Sequence, residues 1–211
     1  MDIDALIEAA KQKRRSGEVT PILVVEGDST VHVALKKVWG DQEVRAQLMF
    51  SLGGTLGYGL NAKRAIVVVD AWCSETDATA MTEAEREEYR STEHAGEVLL
   101  PRDDPNRTEA LLVSESTRDT LKLTTIKYTN VDGVITFMEP DVSTDFEDFT
   151  FKRFWEGVAA AEAQINELAK ALLSKGLAHT FKDTGRTALD GARVAARQVA
   201  FEAFGEWLTV Q

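Results

Sequence analysis

Apolar residues recur along this chain with two different periods, and the alternation between them outlines its elements. Ile3, Leu6, Ile7 and Ala10 fall at i, i+3, i+4 and i+7, which predicts an amphipathic helix over residues 2–16. Asp2 and Asp4 sit near its positive end, Lys11, Lys13, Arg14 and Arg15 near its negative end, and Gly17 supplies a stop. Pro21 then opens Ile22-Leu23-Val24-Val25, a short unalternating run of the kind a buried strand shows. Ser29 is placed to cap a helix carrying Val31, Ala34, Leu35 and Val38, with Gly40 as its end. Residues 41–60 are ambiguous. Leu48, Leu52, Leu56 and Leu60 are spaced for a helix, yet Gly53, Gly54, Gly57 and Gly59 each weaken a helix interior by about 1 kcal/mol relative to Ala.

Ala65-Ile66-Val67-Val68-Val69 is the clearest buried strand. A polar excursion follows, in which Thr82 and Glu85 fit a capping box for a short exposed helix over 83–90. Three more strands are predicted at 109–115, 121–129 and 134–138. In the second, Leu121, Leu123, Thr125 and Lys127 share one face and Lys122, Thr124, Ile126 and Tyr128 the other. Asn130-Val131-Asp132-Gly133 reads as a turn, so the last two strands form an antiparallel hairpin. The final third is helical: Phe151, Phe154, Trp155, Val158, Ile165, Leu168, Ala169 and Leu172 make one stripe ending at Gly176, and a last helix spans about 187–208. The expected fold is therefore α+β, a mixed sheet with an antiparallel hairpin, flanking helices and two C-terminal helices. Residues 1–211 form one domain, with 74–96 as a polar acidic loop or insertion and 151–211 as a helical C-terminal part.

Composition adds a bias in charge. The 211 residues hold 24 Lys and Arg against 35 Asp and Glu, a formal net charge of −11. Such a surface repels phosphate backbones and anionic lipid, so no general nucleic-acid or membrane binding is expected. The excess is local: residues 74–118 contain 12 acidic side chains against 5 arginines, whereas 146–211 contain 9 against 8. Glu83, Glu85, Glu87 and Glu88 are its densest part, read either as a solvated helix face or as a docking surface for a basic partner. Cys73 is the one cysteine, the acidic start lacks the basic and apolar stretches of a signal peptide, and no apolar run reaches about 18 residues. A soluble, cytoplasmic protein is expected.

Candidate chemistry is sparse. Glu26 and Asp70 each follow a β-branched run; on parallel neighbouring strands both carboxylates would emerge at one sheet edge and could hold Mg²⁺. Ile22-Leu23-Val24-Val25-Glu26-Gly27 resembles the first motif of toprim domains, found in topoisomerases, primases and small nucleases. The resemblance implies metal binding by Glu26 and by an Asp-x-Asp after a later strand. Here Asp70-Ala71-Trp72 supplies the first Asp and puts Trp72 at the second. A separate stretch, Asp70-Ala71-Trp72 followed by Pro101-Arg102-Asp103-Asp104-Pro105-Asn106-Arg107-Thr108-Glu109-Ala110-Leu111, resembles bacterial and phage proteins that share a strand-[Asp/Glu]-Ala-Trp … Pro-x-x-Asp-Pro-x-Arg-x-Glu-Ala-Leu signature. That likeness covers roughly 60–140 and implies a shared fold without a named activity.

Arg107 and Glu109 share strand parity and can face one side together. His32, His94 and His179 lack metal-ligand spacing, and the glycine-rich stretch 53–59 precedes a strand instead of following one, unlike a phosphate-binding loop. No catalytic triad is legible, and no cofactor is expected. Two functional readings follow. The first is a non-enzymatic protein-interaction or assembly module of bacterial or phage type, with a protein partner or self-association. The alternative is a toprim-like, Mg²⁺-dependent phosphotransfer or nuclease domain using Glu26 and Asp70.

Overall fold

The structure, a computed structural model, describes residues 2–35, 42–73, 82, 84, 107–144 and 148–174, with side chains through residue 167. The first helix, α1 (Ile3–Ser16), forms where the spacing predicts. Asp2 caps it by accepting from the Asp4 N–H at 3.0 Å, and Leu6, Ile7 and Ala10 make its buried face.

Strands β1 (Ile22–Glu26) and β2 (Thr30–Ala34) form a hairpin, so the helix predicted after Ser29 is a strand. Val31 and Val33 point at the core two residues apart while Thr30, His32 and Ala34 are exposed, a period of two that outweighs the helix-like spacing. The turn at 27–29 makes room for the chain that enters the next strand. The Asp28 N–H donates to the Leu60 carbonyl at 2.7 Å, and a Cβ on Gly27 would lie 2.1 Å from that same oxygen. Glycine is required there by close approach.

The ambiguous segment resolves as helix α2 (Gln42–Leu52) running into a π-helical turn, Gly53–Gly57. Its glycines are packing devices. A Cβ on Gly53 would lie 1.9 Å from the Phe154 carbonyl oxygen, and one on Gly157 would lie 2.0 Å from that of Phe50. Two helices thus meet backbone to backbone, and the insertion of a π turn re-aims Leu56 and Leu60 into the core.

Strands β3 (Arg64–Cys73), β4 (Thr108–Ser116), β5 (Leu121–Val131), β6 (Val134–Phe137) and β7 (Asp141–Ser143) complete the sheet, followed by helix α3 (Phe149–Ser174). The strand order is β2-β1-β3-β4-β5-β6, with β7 also on β5, and every described pairing is antiparallel. The α+β class stands, and its sheet is antiparallel instead of mixed. Strands β5 and β6 run closer to their turn than predicted: Val131 pairs with Val134, leaving only Asp132 and Gly133 between them, with φ of 51° and 82°. Positive φ at both central residues is what a type I′ turn demands, and Asp-Gly is its usual sequence. Between the Tyr128–Phe137 and Thr125–Asp141 pairs, β5 advances three residues and its neighbour four. Strands β6 and β7 are therefore one edge strand interrupted by a bulge at 138–140 that contains Pro140, a device that discourages edge-to-edge pairing.

The sheet is buried on both faces. On one, α1 covers Val24, Ile66, Val68, Leu111, Val113, Ile126 and Tyr128. On the other, α2, the π turn and α3 set Met49, Leu52, Leu56, Phe151, Phe154 and Val158 against Leu23, Val25, Val33, Ala65, Val67 and Val69. Burying each such large side chain contributes roughly 1.5–3 kcal/mol, which makes this second layer the heavier half of the core. Helix α3 thus uses its first half as sheet cover, and the second C-terminal helix predicted at 187–208 lies outside the described residues. Among the described residues no helix is long and apolar enough to cross a membrane.

Candidate functional site

The direction of β1 relative to β3 decides what Glu26 and Asp70 can do. The two strands are antiparallel neighbours: Glu26 pairs with Arg64 at the start of β3, and Ile22 pairs with Val68. Asp70 lies two residues beyond that last pair, so the carboxylates stand six residues apart along the ladder, about 20 Å at strand rise. Asp70 also does not end a strand, because β3 continues to Cys73. The structure does not bring together the pair that the sequence suggested as a Mg²⁺ site, since a shared site at one sheet edge requires parallel strands. Among the described residues no group of three His, Cys, Asp or Glu side chains is gathered as metal ligands would be.

Each carboxylate belongs instead to an arginine. Glu26 ends β1 opposite Arg64, whose Nε donates to Glu26 Oε2 at 2.6 Å while an Nη donates to Glu115 Oε2 at 2.6 Å. Arg64 is thus shared between two strands on either side of its own. Its hydrogen bond holds the Glu26 carboxyl below the usual range.

The second cluster joins a helix to the sheet. The Tyr128 hydroxyl donates to Asp70 Oδ1 at 2.5 Å; Arg14 Nε lies 2.7 Å from the Tyr128 oxygen and 2.9 Å from Asp70 Oδ2. A further Arg14 nitrogen approaches Glu109 Oε1 at 3.6 Å, and the guanidinium sits 4.9 Å from the Tyr128 ring centroid. Burial raises the Asp70 carboxyl above its ordinary range, against the opposing pull of the Tyr128 bond and the Arg14 charge. Burial, and then the bond to Asp70, push the Tyr128 hydroxyl well above the ordinary tyrosine value. Such a tyrosine stays protonated and donates. The cluster is a hydrogen-bonded, charged joint that ties α1 to the sheet.

Trp72, on the same face two residues past Asp70, remains 43% exposed, and the Arg107 guanidinium stacks 4.3 Å from its ring centroid. Arg107 and Glu109 do share this face, Arg107 against Trp72 and Glu109 towards Arg14. At the opposite end of β4, the Trp155 indole N–H donates to Ser116 Oγ at 2.9 Å, and Arg118 forms a two-armed pair with Glu162, tying α3 to the β4–β5 turn. Cys73 closes β3 half-buried, and burial pushes its thiol up, away from a reactive thiolate. His32 is exposed on β2.

Glu83, Glu85, Glu87 and Glu88 lie outside the described residues, as does the Pro-bounded turn with Asp104. The ladder nonetheless fixes where their segment is attached. Cys73 pairs with Thr108, so the acidic stretch leaves β3 and re-enters β4 at neighbouring positions.

Sequence reasoning missed Arg14, Tyr128, Arg64 and Glu115. One signal was available: Arg14 follows Ile7 and Ala10 at i+7 and i+4, so it continues the apolar stripe of α1 and points at the sheet. No family model matches the chain, and no curated protein or solved structure is significantly similar to it.

Proposed function

We propose that this chain is a non-enzymatic protein-interaction or assembly module of bacterial or phage type, whose acidic middle segment meets a basic protein partner. The observation that carries the reading is the β3–β4 register. Cys73 and Thr108 are cross-strand partners, so residues 75–106, with ten acidic and three basic side chains, leave and rejoin the sheet at one hairpin position. Loops held on a rigid scaffold are where binding residues concentrate. The ionisable side chains of the described sheet are engaged with arginines, Asp70 and Glu109 with Arg14, and Glu26 and Glu115 with Arg64, which suits a support better than a reaction centre.

The test is a fourfold charge reversal, Glu83→Lys, Glu85→Lys, Glu87→Lys and Glu88→Lys, compared with the parent in cross-linked capture from cell extract. The parent is expected to retain a basic protein that elutes as salt rises, and the reversed form to lose it while melting within a few degrees of the parent. Equal retention by both forms would overturn the proposal.

A further inference from the structure

Among the described residues, the two covers of the sheet are unequal. The face formed by Val24, Ile66, Val68, Leu111, Val113 and Ile126 is 0–1% exposed, and among the described residues α1 is the one helix laid over it. Yet α1 grips it with Leu6, Ile7 and Ala10, themselves 7–9% exposed, whereas the opposite helices insert Met49, Leu56 and Phe154 at 0%. A 14-residue helix is marginal by itself in water, so α1 owes its helicity to this docking. Its polar tie is concentrated at one residue. Arg14 reaches Tyr128, Asp70 and Glu109 together, bridging α1 to β3, β4 and β5. Lys11 and Arg15 add looser contacts, 5.8 and 5.1 Å from the Phe137 ring centroid.

We infer that α1 is a strap that undocks and melts as one unit while the sheet and its other helical layer stay folded, with Arg14 as the clasp that sets how often it opens. Undocking uncovers the apolar face formed by Val24, Ile66, Val68, Leu111, Val113 and Ile126. The weak apolar grip supplies the low opening cost, the cooperativity of a marginal helix makes the opening all-or-none, and the position of Arg14 in the last turn means its release frees the helix end next to the linker into β1. This inference does not depend on the acidic segment or its partner.

Native-state hydrogen exchange under low denaturant tests it on the full chain. In the parent, the amides of the second half of α1 should exchange as one set, about tenfold or more faster than those of β3 and β4. Arg14→Ala should accelerate that set by about a further tenfold, and Tyr128→Phe, which keeps the ring, by about fivefold. Phe154→Leu, in the opposite layer, should speed exchange in β3 and β4 and leave the α1 set unchanged. The inference is overturned if α1 and the sheet exchange at one rate in the parent, if Phe154→Leu accelerates both by the same factor, or if neither clasp variant moves the α1 set.

Discussion

Two carboxylates that look alike in the sequence, each behind a β-branched run, are shifted in opposite directions from their ordinary ranges. Glu26 lies below its ordinary range because Arg64 bonds to its charged form. Its contribution to stability is therefore present above the unfolded Glu value and is lost as pH falls through the folded one. Asp70 is raised because burial costs its charge more than Tyr128 and Arg14 return. Its contribution is fully present below the unfolded Asp value and is lost as pH rises through the folded one. Melting temperatures measured from pH 7 to pH 3 should then separate the two substitutions. Glu26→Gln should flatten the acid loss of stability relative to the parent, and Asp70→Asn should steepen it; the reverse order would contradict the assignment. What the sequence displayed here was residue type and a strand nearby. Strand direction, which sends the two side chains to opposite ends of one ladder, was not displayed, and neither was the partner of Asp70, 58 residues away on β5.

At the scale of elements, local pattern succeeded wherever one period dominated. Helix α1, β3, β5 and the first half of α3 sit where their apolar spacing put them, because burial on one face is what that spacing serves. It failed where the reason for a residue was a distant backbone. Gly53 and Gly157 look like helix weakeners, yet each is the space into which the other helix fits. Gly157→Ala should therefore destabilise the protein by about 1–3 kcal/mol in urea unfolding, although alanine by itself favours a helix by about 1 kcal/mol over glycine. Unchanged or increased stability would mean that the helices do not approach as described. Strand β2 was misread for a related reason: its Val31 and Val33 alternate over too few residues to outvote a cap-like Ser29, and only the pairing with β1 settles the period.

At the scale of the whole molecule, β3 and β4 pair directly where residues 75–106, the most acidic part of the chain, leave and rejoin the sheet. The candidate Mg²⁺ pair was legible as residues but not as a site, and the arginine clusters that replaced it join α1, β1, β3, β4 and β5, elements that no local window contains together. Recognition of a partner is proposed to belong to the acidic segment, with the sheet as its support. The most direct test replaces residues 75–106 with Asn-Gly, a two-residue hairpin link between Ser74 and Arg107, and follows thermal unfolding together with capture of the partner held by the intact chain. A single cooperative transition within a few degrees of the parent and loss of the partner are expected. A chain that no longer folds, or one that folds and keeps its partner, would contradict the proposal.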